Sequence, residues 1–285
     1  MSYDSTDVQY DSYDDNDRQN DGLISIQGRH GIPEARTAFH FFLGKANVPE
    51  GFVPGAPWVA HEEYIKTKGE TVEGWKADAL PMYIICVRAQ AYRKGADGKR
   101  IAWVDQWPKG AAPNTHAMHV DVLLVAQGLE ELGPVKWVSN GSAISFAIVA
   151  GKGKEQPQGG ILERLRTEVL GEADRLSPKG RAKAKAYWCF WVTIAGQRDA
   201  KGNPVYTKTP SGGAITIPVP LLPAKVDQKW LVDNYVGAEI DLYGKEQRAL
   251  WELWRSTKMT DDATPAAQPN GRNVPQTIEE EELAF

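Results

Sequence analysis

The chain has little cysteine and lacks any long apolar run. Cys86 and Cys189 are its two cysteines, more than a hundred residues apart and without a histidine at zinc-like spacing. Both lie in apolar, strand-like segments, which predicts buried free thiols in a reducing cytoplasm. No run approaches the ~20 apolar residues of a membrane-spanning helix, so we expect no membrane span. The first residues are acidic and have no apolar core region, so we expect no secretory signal.

The sequence also lacks the motifs of phosphate-binding loops and zinc proteases. Residues 151–154, Gly-Lys-Gly-Lys, have neither the glycine spacing nor the following Ser or Thr of such a loop. The stretch His61-Glu-Glu lacks the second histidine of a zinc-protease helix. On a predicted strand His116 and His119 point to opposite faces, while His119 and Asp121 share one, a pattern more typical of pairing than of metal binding. We therefore expect no metal, no cofactor and no catalytic residue.

Charge is unevenly distributed along the chain. Residues 1–22 hold seven Asp and one Arg, and residues 263–285 hold four Glu and one Arg. The remaining residues, 23–262, hold 31 bases and 26 acids, so the net charge of −4 conceals a middle segment of +5 between acidic ends. All 10 Trp lie in this mildly basic segment.

Composition divides the chain into three parts. Residues 1–22 are low-complexity Asp, Tyr and Ser, which cannot bury enough apolar surface to fold, so we predict a disordered acidic tail. Residues 23–258 form the predicted core domain. Residues 259–285 form a predicted disordered linker, rich in Pro, Ala and Asn, that ends in an acidic tip.

The core domain reads as strands around two hairpins with a few helices. Asp97-Gly98 is a strong hairpin signal, and a second turn lies at 199–203. We predict strands over 82–93, 100–107, 116–126, 186–195, 205–209 and 215–219, and helices over 141–150, 161–176, 227–235 and 244–256. This order suits a mainly β, α+β fold: an antiparallel sheet or an OB-like Greek-key barrel with helical insertions.

Alternation along the first hairpin predicts one polar, aromatic face and one core face. With Asp97-Gly98 at the tip, Tyr92 lies opposite Trp103. The same face carries Arg88, Gln90, Tyr92, Trp103, Asp105 and Trp107. The opposite face, predicted to be core, carries Ile85, Val87, Ala89, Ala91 and Val104.

The second hairpin begins with basic residues at every second position. With Lys201-Gly202 at the tip, Gln197 lies opposite Tyr206 and Ala195 opposite Lys208. If the chain stays extended, one surface carries a basic rail, defined as Lys179, Arg181, Lys183 and Lys185, and the side chains of Tyr187, Cys189, Trp191, Thr193, Tyr206 and Lys208. Two alternatives stay open: 177–186 begins a helix, with Ser177 as its N-cap and Pro178 in its first turn, or forms a mobile basic loop.

Cations beside flat rings are typical of single-stranded nucleic-acid binding, because Lys and Arg follow phosphates while unpaired bases stack on aromatic rings. Arg88 suits either a phosphate contact or stacking over a base. The predicted contacts are Arg88, Tyr92, Trp103, Trp107, Lys152, Lys154, Lys179, Arg181, Lys183, Lys185, Tyr187, Trp191, Tyr206 and Lys208. The alternative is that these rings are core, covered by the aromatic segment 23–80.

The C-terminal tip resembles the tail of bacterial and phage single-stranded-DNA-binding proteins. The docking tip is defined as Glu279, Glu280, Glu281, Glu282, Leu283 and Phe285. In that family the acidic tip is a docking peptide for replication, recombination and repair enzymes, so the resemblance implies the same role here. This chain has Glu in place of the family's usual Asp, and Ala284 in place of its Pro. The resemblance does not extend to an alignment of the body, and a merely solubilising tail is the alternative.

These features predict a non-enzymatic protein that coats and protects single-stranded DNA, recruits replication and recombination proteins through its tip, and works in the cytoplasm of a bacterium or a phage-infected host. It has no membrane partner, and a homo-oligomer is possible. One alternative is a metal-dependent nuclease whose carboxylates come from Glu62, Asp105 and Asp121. Another is an interaction or structural module whose Trp residues are all core.

Overall fold

The computed structural model describes residues 22–65, 69–95, 100–104, 115–139, 142–150, 159–176, 186–208 and 213–256. Several predictions fall outside these described residues. They concern the acidic tail, Asp105, Trp107, Lys152, Lys154, the basic rail (Lys179, Arg181, Lys183, Lys185), the linker and the docking tip at 279–285.

Twelve strands are described. They are β1 Ser25–Arg29, β2 His40–Gly44, β3 Val59–Ile65, β4 Glu70–Ala77, β5 Ala79–Lys94, β6 Arg100–Val104, β7 His116–Ala126, β8 Val135–Val138, β9 Val192–Gly196, β10 Tyr206–Lys208, β11 Ala214–Thr216 and β12 Pro218–Pro220. Ten of them form one sheet in the order β12-β9-β5-β7-β8-β1-β2-β4-β3, with β6 also paired to β5, while β10 and β11 form a separate pair. The pairs are antiparallel except for β1 and β8, which run parallel.

The helices are α1 Ser142–Val149, α2 Ile161–Arg164, α3 Gly171–Leu176, α4 Gln228–Asn234, α5 Ala238–Leu250 and α6 Glu252–Ser256. A π-helical segment, Leu165–Leu170, joins α2 to α3, so the helix predicted over 161–176 is confirmed. No helix in the described part of the chain is long and apolar enough to cross a membrane.

The fold is mixed α/β and rich in strands, with 41% strand against 29% helix, and its sheet curls strongly into a half-barrel. The coarse prediction of a strand-rich α+β fold is therefore right. Among the described strand pairings none joins β12 to β3, the two ends of the sheet order.

A β-bulge in β5 decides which side chains face the main core. Ile84 pairs with Leu124 and Cys86 with Leu123, so Ile85 is an extra residue without a partner on β7. Before the bulge the even-numbered residues of β5, such as Ile84, face the main core, and after it the odd-numbered ones, such as Val87, do. The prediction that Ile85 shares the core face with Val87 is therefore wrong.

The main core contains several aromatic rings of the N-terminal half among mostly aliphatic side chains. Phe39, Phe41, Trp58 and Trp75 are buried in it together with Trp137 of β8. Phe39 packs on Phe41, and Phe41 packs on Trp137. Segment 23–80 contributes strands β1 to β4 to the sheet, and it carries most of these rings. Sequence reasoning assigned no strands to that segment.

The C-terminal helices cover part of the sheet's other face. Trp254 of α6 is buried in a second cluster with Tyr83, Cys86, Leu123 and other side chains. Burial raises the pKa of the Cys86 thiol to about 11, so it is a neutral thiol at neutral pH. Both cysteines are free and buried, as predicted for the thiols themselves.

Helix α5 packs tightly on a short 3-10 turn, Tyr187–Cys189. A Cβ at Gly244 would lie 2.5 Å from Cδ1 of Trp188, so this close approach requires glycine. Trp188 also donates from its indole nitrogen to Asp241 at 3.1 Å. The strand predicted over 186–195 is thus shorter than expected, because its first residues turn to meet α5.

The second predicted hairpin forms its turn but not its strand pair. Asp199 accepts hydrogen bonds from the backbone of Lys201 and Asn203, and Arg198 bridges Pro204. Beyond this turn β9 pairs with β12 and β5, and β10 pairs with β11 instead. The predicted pairs of Gln197 with Tyr206 and of Ala195 with Lys208 are therefore wrong.

Candidate nucleic-acid interface

One face of the half-barrel carries polar side chains from six strands, β5, β7, β8, β1, β2 and β3. Paired residues of neighbouring strands point to the same face, and side chains alternate along each strand, so the strand registers place these polar side chains on one face. This polar face comprises Arg88, Gln90, Tyr92, His119, Asp121, Lys136, Gln27, Arg29, His40, His61 and Glu63.

A buried charge cluster lies at the centre of the polar face, defined as Arg88, His119, Asp121 and Lys136. Nη2 of Arg88 donates to Oδ2 of Asp121 at 2.7 Å. Nε2 of His119 lies 2.8 Å from Oδ1 of the same carboxylate. Since both oxygens accept charge-assisted or short hydrogen bonds, Asp121 holds strands β5 and β7 together through their side chains.

The pKa of Asp121 reflects this surrounding. Burial by itself would raise that pKa, but His119, Lys136 and Arg88 together hold it far below its ordinary value of 3.8. The carboxylate is therefore ionised throughout the physiological range, and it offsets the charges of the buried cations Arg88 and Lys136.

Two predicted contact residues are closed off from solvent. Arg88 is 5% exposed and Tyr92 is 2% exposed. The guanidinium of Arg88 also lies 4.3 Å from the ring centroid of Trp254, under α6. The expectation that both side chains lie on an open surface is wrong, because C-terminal helices and neighbouring rings cover them.

Trp103, on the same face, is half-buried. Its ring lies against Tyr92 (5.7 Å between centroids) and against His119 (5.8 Å). The guanidinium of Arg100 lies 4.4 Å from the Trp103 centroid. The register that pairs Tyr92 with Trp103 is confirmed. This row of rings therefore connects the buried charge cluster to the protein surface.

The strands around Trp103 form a basic arm, which we call the hairpin arm and define as residues 86–95, 100–104 and 115–120. Its described basic residues outside the charge cluster are Arg93, Lys94 and Arg100, and the carboxylate of Asp121, just past the arm on β7, is paired with Arg88. Arg93 is exposed, and Ala89 on the predicted core face is exposed as well. The arm thus carries positive charge beside a half-buried indole.

Trp191 and Tyr187 lie elsewhere. Trp191 is half-buried, with its ring 5.0 Å from that of Tyr83. Tyr83 and Tyr92 are nine residues apart on β5, which is about 30 Å, so Trp191 and Trp103 lie at opposite ends of one face. Tyr187 packs with the main core, where burial raises its pKa, close to Arg166 and Glu163. The structure does not bring Tyr187 and Trp191 onto one surface.

Tyr206 and Lys208 lie on the separate β10–β11 pair. The hydroxyl of Tyr206 donates to the backbone oxygen of Thr37 at 3.1 Å, and the hydroxyl of Thr216 accepts from the backbone of Gly31. Lys208 is exposed. The small pair therefore packs on the β1–β2 connection and is not the continuation of the β9 surface that was predicted.

The carboxylates suggested for a nuclease are not assembled among the described residues. Both oxygens of Asp121 are occupied by Arg88 and His119. Glu62 is exposed on β3, and alternation directs it away from the polar face that Glu63 joins.

Sequence reasoning missed two parts of the polar face. Arg100 stacks on Trp103, a contact that alternation alone does not reveal. His40 meets His61 and Glu63 at the far end of the face. The pair His61 and Glu63 could have been noticed, because two residues apart on a strand share a face.

No protein-family model, no curated protein and no solved structure matches this chain. The geometry of the chain itself therefore carries the functional argument.

Proposed function

We propose that this protein binds single-stranded DNA without catalysing a reaction, coating and protecting it during replication, recombination or repair. The observation that carries the proposal is the half-buried, partly accessible Trp103 between Arg100 and the rings of Tyr92 and His119 on a basic hairpin arm. An indole held in this way offers a flat surface on which an unpaired base can stack.

The contacts around Trp103 hold its ring in place, with the guanidinium of Arg100 4.4 Å from its centroid and part of the indole still accessible to solvent. Tyr92 and His119 meet the indole edge-on, with interplanar angles of 76° in both cases. A ring that is fixed before binding loses little side-chain entropy when a base stacks on it. Stacking contributes about 1–3 kcal/mol per base in proteins that bind single strands.

The charge of the hairpin arm supports a polyanionic ligand. Arg93 and Lys94 follow Tyr92 directly, and Arg100 opens β6 across the hairpin. Residues 86–120 hold six Lys or Arg against two Asp, Asp97 and Asp105, so this part of the chain is net basic and attracts phosphates. Duplex DNA keeps its bases inside the stack, so rings and cations together favour a single strand.

Two finer elements belong to the same proposal. The curled sheet is consistent with an OB-like binding barrel, whose strands commonly carry oligonucleotides. The docking tip at 279–285 would recruit replication and recombination proteins, as its resemblance implies. Deleting that tip is expected to abolish partner recruitment while leaving DNA affinity unchanged or improved.

The test is the affinity of the full chain for a fluorescently labelled oligo-dT, measured by anisotropy at two salt concentrations. We expect Trp103→Ala to weaken binding by about 5- to 150-fold, which corresponds to about 1–3 kcal/mol of stacking. The matched control is Trp230→Ala, since Trp230 is also half-buried but packs on Phe190 of the main core.

Thermal unfolding of both variants shows whether the fold is kept. If Trp103→Ala and Trp230→Ala bind oligo-dT equally well, Trp103 is not a stacking residue and the proposal loses its main support. Cleavage of the oligomer in Mg²⁺ would instead favour an enzyme.

A further inference from the structure

A second group of titratable side chains lies on the polar face, away from the hairpin arm. Its members are His40 of β2 and His61 and Glu63 of β3, which we call the histidine–glutamate cluster. Oε2 of Glu63 lies 3.2 Å from Nε2 of His40 and 3.0 Å from Nε2 of His61. The ligand atoms of all three side chains lie within 4.8 Å of one another.

The curl of the sheet brings this cluster together. In the flat register Glu63 pairs with Val72 of β4, whereas His40 precedes Phe41, the partner of Ala77. These positions are several residues apart along β4, yet their side chains are in contact. The β3–β4 hairpin must therefore bend over the polar face, which directs His61 and Glu63 toward His40.

The second nitrogen of His40 is also occupied. Nδ1 lies 3.4 Å from the backbone oxygen of Ala38. In the tautomer that carries its proton on Nδ1, this nitrogen donates to Ala38 and Nε2 directs a lone pair toward the cluster, as a metal-binding imidazole does. A backbone carbonyl that fixes the far ring nitrogen is a regular feature of metal-binding histidines.

The spacing also fits a metal ion. Tetrahedral zinc with bonds of about 2.0–2.1 Å separates its ligand atoms by about 3.3 Å. The two distances from Oε2 of Glu63, 3.0 Å and 3.2 Å, are close to this value, and the two imidazole nitrogens lie within 4.8 Å of each other. Two imidazoles and one carboxylate are a known zinc ligand set that leaves a fourth position open. Side-chain exposure rises from 11% for His40 and 18% for Glu63 to 34% for His61, so the open position faces solvent on the His61 side.

We propose that His40, His61 and Glu63 form a binding site for a single divalent ion of the zinc type, with water or an anionic oxygen in the fourth position. Arg29 is paired with His40 across β1 and β2 and lies near Glu63, which favours an anionic fourth ligand. The site is independent of the proposed DNA contacts on the hairpin arm, and either proposal can fail without the other.

The test is equilibrium dialysis of the chelator-treated full chain against Zn²⁺, followed by metal analysis. We expect one equivalent of zinc per chain. Replacing a ligand should lower the affinity by more than about 100-fold, beyond the effect of changing an outer-shell partner. His61→Ala and Glu63→Gln are the variants of choice because these side chains are more exposed than His40. His116→Ala is the matched control, since His116 contacts Thr115 at the start of β7.

Co²⁺ substitution supplies a second measurement. Tetrahedral nitrogen and oxygen ligands give visible bands without the intense near-ultraviolet band of a cobalt–thiolate bond. The proposal is overturned if no ion binds, if binding survives in both His61→Ala and Glu63→Gln, or if a thiolate band shows that Cys86 or Cys189 is the ligand. Unchanged oligo-dT affinity of His61→Ala would show that the two sites are separate.

Discussion

The polar face contains two histidine–carboxylate groups that differ in how their carboxylate is satisfied. In the charge cluster each oxygen of Asp121 has its own partner, Arg88 or His119, and the group is sealed under Trp254. In the histidine–glutamate cluster one oxygen of Glu63 meets two imidazoles, and the group is partly open to solvent.

This difference separates a structural role from a binding role. A buried carboxylate with complete partners has no free coordination position and serves to join β5 to β7. An oxygen shared by two imidazoles, beside solvent, has room for an ion between the three side chains. The same residue types therefore do different things because of their neighbours, and burial decides which.

The largest effect is expected from removing the carboxylate charge of the buried charge cluster. Asp121→Asn leaves the cations Arg88 and Lys136 buried without their anion, so we expect a loss of about 3–5 kcal/mol in the free energy of unfolding. Glu63→Gln, the matched change in the histidine–glutamate cluster, should lower the free energy of unfolding by roughly 1–2 kcal/mol. Urea unfolding of both variants measures this, and equal losses would erase the distinction between the groups.

Acid should lower the free energy of unfolding mainly through the charge cluster. The folded-state pKa of Asp121 is far below its ordinary value of 3.8, so its stabilising contribution is complete above that value. The contribution is lost progressively from about pH 5 downward, as the unfolded chain takes up a proton that the folded chain does not. The free energy of unfolding should fall over this range in the wild type, and less in Asp121→Asn. Parallel pH profiles for the two proteins would contradict this.

Zinc should stabilise the protein only through the histidine–glutamate cluster. At a free concentration 100 times the dissociation constant, a bound ion adds about 2.7 kcal/mol to the free energy of unfolding. We expect thermal unfolding to shift upward with Zn²⁺ in the wild type, and no shift in Glu63→Gln. A shift of equal size in both proteins would place the ion elsewhere.

The smallest effect is expected from removing a single exposed cation of the hairpin arm. Arg93 is exposed on the hairpin arm, so Arg93→Ala should reduce the salt dependence of oligo-dT binding by about 0.7 in slope, with little change in stability. The four alanine substitutions of the basic rail, at Lys179, Arg181, Lys183 and Lys185, should flatten the slope further. A slope unchanged by the fourfold variant would remove the rail from the proposed interface.

Local signals in the sequence predicted much of the fold around β5 and β7. Asp97-Gly98 and strict alternation lead to the correct pairing of Tyr92 with Trp103, and the strand over 116–126 has the predicted bounds. These features depend on residues close together in the chain. The turn at Asp199 is equally local and also forms.

The errors come from contacts between distant parts of the chain. Strand β9 takes β12 as its partner, and no signal near Asp199 reveals that choice. The exposure of Arg88 depends on α6, more than 150 residues later in the chain. His40 and Glu63 meet because the sheet curls. Composition and alternation therefore identify the residue types of the candidate sites, while tertiary packing decides which of them are accessible.

The unpaired residue at Ile85 has a consequence for how this chain tolerates change in length. If Ile85 were paired to Leu123, every following side chain of β5 would exchange sides, so that Arg88 would enter the main core and Val87 would meet Asp121. Deleting Ile85 would instead close the bulge and keep the pairs of Ile84 with Leu124 and of Cys86 with Leu123. The register of β5 therefore tolerates the loss of this residue, whereas the packing does not, because the Ile85 side chain is buried in the second cluster.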